Sequence, residues 1–155
     1  MADPIADQIL CRIDYISELY NRLMIVVAPS GAGKTKALQE VHERTGAPLI
    51  NINLTLSRQM LDLTERQRSL QLPHLLGEIV NEKEGDVALL DNIEILFDIA
   101  LKQDPLRLLQ GLSRNKTIIV SWNGSIANDY VFYATPDHLE YRRYPSRDLL
   151  IVAPA

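Results

Sequence analysis

Residues 28–35 read "APSGAGKT". Two glycines one residue apart let a backbone curl until its N–H groups face inward, where they suit phosphate oxygens. A lysine directly after the second glycine reaches outer phosphates as a point charge, and the hydroxyl that follows is a hard ligand for a divalent cation. The pattern is G-x-x-x-x-G-K-[ST] with Ala28 at the first glycine, a position that needs only a small residue at a strand end. Pro29, Ser30, Gly31, Ala32 and Gly33 form the expected cradle, and Lys34 is read as a solvated loop cation for the β- and γ-phosphates. Thr35 and Lys36, in the first turn of a helix expected from about Lys34, complete the expected nucleotide-binding set, and the helix's positive dipole end adds to the site.

Such a loop needs a second group for its cation, commonly an acid that ends another buried strand. Asp91 follows four apolar residues, 87–90, and with Thr35 makes the expected metal pair, for Mg²⁺. The next residue is Asn92, whose amide can hold a water but cannot take its proton. Glu94 is the nearest carboxylate, and reads either as the water-activating base or as a first-turn acid facing a helix dipole. Asn123 ends a strand expected beside the loop strand, and reads as a γ-phosphate contact or as a turn asparagine before Gly124. Arg142, Arg143 and Arg147 precede the last strand. They read either as a cation offered to the γ-phosphate of a neighbouring subunit or as surface arginines, with Arg114 as a second candidate. Asn51 and Asn53 line the pocket or merely finish a strand, and His42, His74 and His138 lack metal-ligand spacing. "NKTI" at 115–118 has Ile118 where a guanine-reading loop needs aspartate.

The elements that must position these groups alternate. A helix is expected over 4–21, capped by Asp3, with Ile5, Ile9, Ile13, Ile16 and Tyr20 on one face and Cys11 near it as a core residue. A doubly buried strand follows at Leu23–Ala28, then a helix from Lys34 to Gly46. Alternation predicts a strand over 49–54. An interrupted helical pattern covers 55–72, and Pro73 restarts a helix that Gly85 closes. Strands at 86–92 and 116–123 flank a helix opened by Asp104-Pro105, and three short strands end the chain. The expected fold class is α/β, a three-layer P-loop NTPase core with a mainly parallel sheet flanked by helices and no C-terminal helical lid. It reads as one domain over 1–155: a helix to 22, a core over 23–123, and strands beyond.

The 155 residues are 46% hydrophobic with a formal net charge of −4, which gives no general pull toward nucleic acid and leaves direct contact open but not indicated. One cysteine excludes an internal disulfide, and no leader pattern precedes the first helix, so a cytoplasmic location is expected. No apolar run approaches the ~20 residues of a membrane span.

With "APSGAGKT", "LLDNIEILF", "DPLRLLQGLSRNKTIIVSW" and "EYRRYP" quoted, the chain resembles a small AAA-like ATPase core, and more closely the BrxF family of BREX phage-defence systems. The resemblance implies ATP binding, a place in an antiviral assembly and other BREX proteins as partners. It carries the family's phosphate loop onto Ala28–Thr35 and its strand-end aspartate onto Asp91. Three readings stay open: a weak ATPase that depends on self-association with nucleotide or on a partner, a nucleotide-gated module that never hydrolyses, and a small-molecule kinase.

Overall fold

Leu23–Ala28 carries no polar side chain, and the structure buries all six residues as the central strand β1. The computed structural model describes residues 4–16 and 18–154. In chain order they form α1 (Pro4–Ile16), β1, α2 (Lys34–Thr45), β2 (Leu49–Asn51), α3 (Ile52–Gln59), α4 (Glu65–Glu82), β3 (Val87–Asp91), α5 (Pro105–Leu112), β4 (Thr117–Ala127), β5 (Tyr130–Tyr133), β6 (Arg142–Pro145) and β7 (Leu150–Val152). Two 3₁₀ turns, Glu94–Phe97 and Ile99–Leu101, lie between β3 and α5.

Five strands pair in parallel in the order β2-β3-β4-β1-β7. Side chains alternate along β1, so each face feeds its own core. Met24 and Val26 pack with Ile9 of α1 and Leu38 of α2. Ile25 and Val27 pack with Leu56 of α3, Leu76 of α4 and Leu109 of α5. The chain therefore has the three-layer α/β P-loop NTPase architecture, with a mainly parallel sheet between helices.

Several boundaries differ from expectation. The cap at Asp3 lies outside the described residues. α1 ends at Ile16, and Tyr20, expected on its apolar face, is 81% exposed in the turn that leads to β1. Cys11 is exposed and not in the core. It sits two residues past buried Ile9, about 200° around the helix. The strand expected over 49–54 stops at Asn51, whose Oδ1 accepts from the Leu54 N–H at 3.1 Å and caps α3. Ile52 and Leu56, four apart, are the buried pair of that helix.

Nor does Pro73 restart a helix. α4 runs through it from a capping box in which Thr64 and Gln67 exchange bonds. Proline leaves the carbonyl four residues back without its N–H. Here Gln103 Nε2 donates to that Ser69 carbonyl at 2.7 Å, which makes the proline tolerable. At the other end of α4, the buried Lys116 ammonium donates to the carbonyls of Val80 at 3.1 Å and Lys83 at 2.6 Å.

β4 also outruns its predicted end. Past Asn123 it pairs antiparallel with β5, and β5 with β6. Gly124 permits this, because a Cβ there would lie 1.8 Å from the Phe132 carbonyl oxygen. The same oxygen accepts from Trp122 Nε1 at 3.1 Å, so the only tryptophan pins the hairpin to the sheet. Gly124→Ala is expected to separate β5 from β4 and to cost about 1–3 kcal/mol, the usual scale of overpacking. Trp122 fluorescence reads it: a red shift is expected, and unchanged emission with unchanged stability would contradict the close-approach explanation.

Candidate functional site

The loop after β1 is exposed from Pro29 to Gly33. Gly31 and Gly33 have φ of +82° and +94°, a region open to glycine at little strain. α2 starts at Lys34 with no side chain capping its first turn, whereas Asn51, Thr64 and Asp104 cap α3, α4 and α5. The leading N–H groups of α2 are thus left for an anion.

Lys34 is not the solvated cation expected. It is 5% exposed, and its Nζ donates to the Ala28 and Pro29 carbonyls at 2.8 Å each, folding back across the loop. Burial pushes its pKa below the ordinary lysine value, while Asp91 and Glu94 pull it back up.

Asp91, the last residue of β3, is 6% exposed. Its Oδ2 accepts from Thr35 Oγ1 at 2.7 Å and its Oδ1 from Ser121 Oγ at 2.6 Å. Both bonds are in the short range of hydroxyl-to-carboxylate pairs. Sequence reasoning missed Ser121. Its signal is a hydroxyl between apolar Val120 and Trp122 in a buried strand, two residues before Asn123.

Glu94 opens a 3₁₀ turn, as the first-turn reading held, yet it also reaches the cleft. Its Oε2 accepts from Asn53 Nδ2 at 3.0 Å and its Oε1 from Asn123 Nδ2 in a short bond. Asn53 is fixed in turn, since its Oδ1 accepts from the Ile95 N–H at 2.8 Å and its N–H donates to the Asn92 carbonyl at 2.8 Å. Asn92 has φ of +52°. That left-handed residue turns the chain at the end of β3 and brings Glu94 back over the strand ends. Asparagine enters this region far more readily than most residues, and a glutamate here would carry a strain of about 1–2 kcal/mol.

One cleft of about 420 Å³ is lined by Ser30, Gly31, Gly33, Lys34, Thr35, Lys36, Gln39, Asp91, Asn92, Glu94 and Asn123, with Asn53 and Ser121 outside that lining. Pro29 and Ala32 stand outside that lining, although the Pro29 carbonyl holds Lys34. The arginines are elsewhere. Arg142 donates to the Gln103 carbonyl at 2.7 Å, Arg143 lies 4.8 Å over the Tyr130 ring, and Arg147 is exposed in the turn before β7. Arg114 follows α5 at the start of β4, the end of the sheet opposite the loop. Asn51 serves as a helix cap. His42 meets the Ala47 carbonyl, His74 pairs with Glu78, and His138 accepts from the Glu140 N–H.

The donor set suits Mg²⁺ bound together with phosphates. A hydroxyl and a carboxylate oxygen 2.7 Å apart are hard oxygen donors, and no cluster of three or more metal-binding side chains exists among the described residues. Mg²⁺ is commonly held by one or two carboxylates plus substrate phosphates, without an all-protein cage.

No family model matches the chain, and no curated protein does. Among solved structures, that of C. elegans PCH-2 is similar over 99% of this chain, with a TM-score of 0.51 and 14% identity. The two share an α/β fold with a mainly parallel sheet between helices. It spans 43% of the PCH-2 chain, and the likeness at this identity bears on fold alone. No described helix is long and apolar enough to cross a membrane.

The left-handed turn makes a prediction. Asn92→Gly is expected to keep the unfolding free energy within about 0.5 kcal/mol, and Asn92→Val to lower it by about 1–2 kcal/mol. Urea unfolding of the two variants checks this, and equal losses would remove the conformational explanation.

Proposed function

We propose that this protein binds ATP with Mg²⁺ in the cleft between β1, α2 and β3 and hydrolyses it slowly by itself. One observation carries the reading: an uncapped helix start, Lys34, Thr35 and the buried Asp91 converge on a single cleft. In this reading the N–H groups of residues 30–35 and the Lys34 ammonium receive the phosphates. Thr35 and Asp91 hold the cation, which when bound offsets phosphate charge and polarises the γ-phosphoryl group. Asn123 faces the γ-phosphate from where β4 leaves its parallel pairing with β1, and Glu94 orients the attacking water and accepts its proton.

Slow turnover follows from two features. Both Glu94 oxygens already accept hydrogen bonds, from Asn53 and Asn123, so the base starts out engaged. No arginine lines the cleft among the described residues, and an arginine at the γ-phosphate is worth about 10³–10⁵ in rate. A second copy or another protein supplies that cation in this reading. Arg143 and Arg147 are the exposed candidates, and Arg142 is tied to Gln103. The engaged Glu94 also supports a second reading, a nucleotide-gated module that holds ATP without cleaving it. The sequence resemblance to the BrxF family supports placing either activity in a BREX antiviral assembly, with other BREX proteins as partners and the cytoplasm as its location.

Lys34→Ala is expected to weaken ATP affinity about 10- to 100-fold, the scale of a lost charge-assisted contact. Calorimetric titration alongside circular dichroism checks it, and unchanged affinity in a folded variant would remove the phosphate-loop assignment. Specific ATPase activity is expected to rise with protein concentration, and the rise to flatten in an Arg143→Ala, Arg147→Ala double variant. Activity that is high and flat from low concentration upward would mean that one chain completes its own site. A rise that survives the double variant would move the role to Arg142, Arg114 or another protein.

A further inference from the structure

β4 supplies two side chains at the site: Asn123 lines the cleft, and Ser121 is buried outside that lining, against Asp91. Ser121 and Asn123 are two residues apart on one strand, so their side chains leave the same face of the sheet. Asn123 engages Glu94, the proposed water side, and Ser121 engages Asp91, the proposed metal side. Ser121 is 5% exposed and its neighbours Val120 and Trp122 are fully buried. A hydroxyl in such a strand must find a partner. Its proton goes to the Asp91 carboxylate at 2.6 Å. That bond fixes the rotation of the carboxylate about its last torsion. With Oδ1 held by Ser121, Oδ2 stays aimed at Thr35, 2.7 Å away.

We propose that Ser121 is a positioning residue for the metal half of the site: by holding Oδ1 it keeps Asp91 in the orientation in which Asp91 and Thr35 together meet the cation. The inference rests on the reading that this cleft takes ATP with Mg²⁺. Without Ser121 the carboxylate is held only through Oδ2 by Thr35, its buried Oδ1 loses this donor, and the cation must complete its ordering on binding. Partners of this kind, one shell out from a metal, typically change metal affinity about 10- to 100-fold.

The test is a Mg²⁺ titration of the full chain at fixed fluorescent ATP analogue, repeated with Mn²⁺ read by electron paramagnetic resonance so that binding is seen without turnover. Ser121→Ala is expected to raise the half-saturating metal concentration about tenfold while nucleotide affinity in EDTA stays within about twofold. Ser121→Thr, which keeps the hydroxyl, is expected to restore the midpoint, and Ser121→Cys, a weak donor of similar shape, to fall between. A wild-type midpoint in Ser121→Ala overturns the proposal, as does equal loss in EDTA and in Mg²⁺, or a threonine variant no better than alanine. If the alanine variant does not fold, the threonine and cysteine variants decide by the same comparison. Asp91→Ala separates the two levels. If it leaves the metal midpoint unchanged, the cation reading of the cleft fails and Ser121's role with it. If it shifts the midpoint and Ser121→Ala does not, Ser121 alone fails.

Discussion

A carboxylate at 6% exposure is the constraint on which the rest of the site depends. Burying a charged oxygen pair is costly unless donors meet it. Asp91 finds its donors on two other elements, Thr35 in the first turn of α2 and Ser121 on β4. Both reach it here because β4 lies beside β3 and β1 beside β4, which brings the loop after β1 to the strand ends. The observed order β2-β3-β4-β1-β7 satisfies this. It also places the loop at the carboxyl ends of parallel strands, where an open α/β sheet has its crevice.

Asn92 solves a second geometric problem. A chain that leaves β3 in extended form would carry residue 94 away from the sheet. The left-handed conformation at Asn92 reverses it, and Asn53 locks the reversal by bonding the backbone on both sides of it, at the Asn92 carbonyl and the Ile95 N–H. Glu94 then hangs over the strand ends between two amides. An asparagine that reads as a missing base is, in three dimensions, the residue that delivers a carboxylate from two positions further on.

What was legible in the sequence was what local chemistry dictates. An unbroken apolar run gave β1, the glycines and Gly46 bounded α2, and Asp104-Pro105 opened α5. The loop and Asp91 were legible because their residue types are demanding. What escaped depends on partners distant in sequence. Asn51 reads as a strand residue until a helix starts on it, and Pro73 reads as a breaker until Gln103 satisfies the carbonyl it orphans. Lys34 reads as solvated until its ammonium is seen donating to the carbonyls of Ala28 and Pro29. Ser121 reads as an ordinary strand serine until Asp91 is beside it. The arginines show the same limit from the other side. Arg142 pairs with Tyr133, and Tyr133 with Gly124, so it stands two strands from β4, roughly 10 Å at the usual spacing. Adjacency to Asn123 in the sheet does not bring it into the cleft.

On the proposed reading that the cleft takes ATP with Mg²⁺, charge explains how such a site tolerates these acids. Four ionisable side chains line the cleft, Lys34 and Lys36 against Asp91 and Glu94, and their formal charges cancel. What remains in favour of an anion is the start of α2, equivalent to about half a positive charge, and the N–H groups of the loop. A triphosphate carries several negative charges, so this lining alone leaves most of them unbalanced, and Asp91 and Glu94 repel them. A divalent cation seated against Thr35 and Asp91 changes the sign of that local field. In that reading the two carboxylates weaken the cleft for phosphate alone and favour phosphate that arrives with its metal, the more so the more firmly Asp91 is held in place.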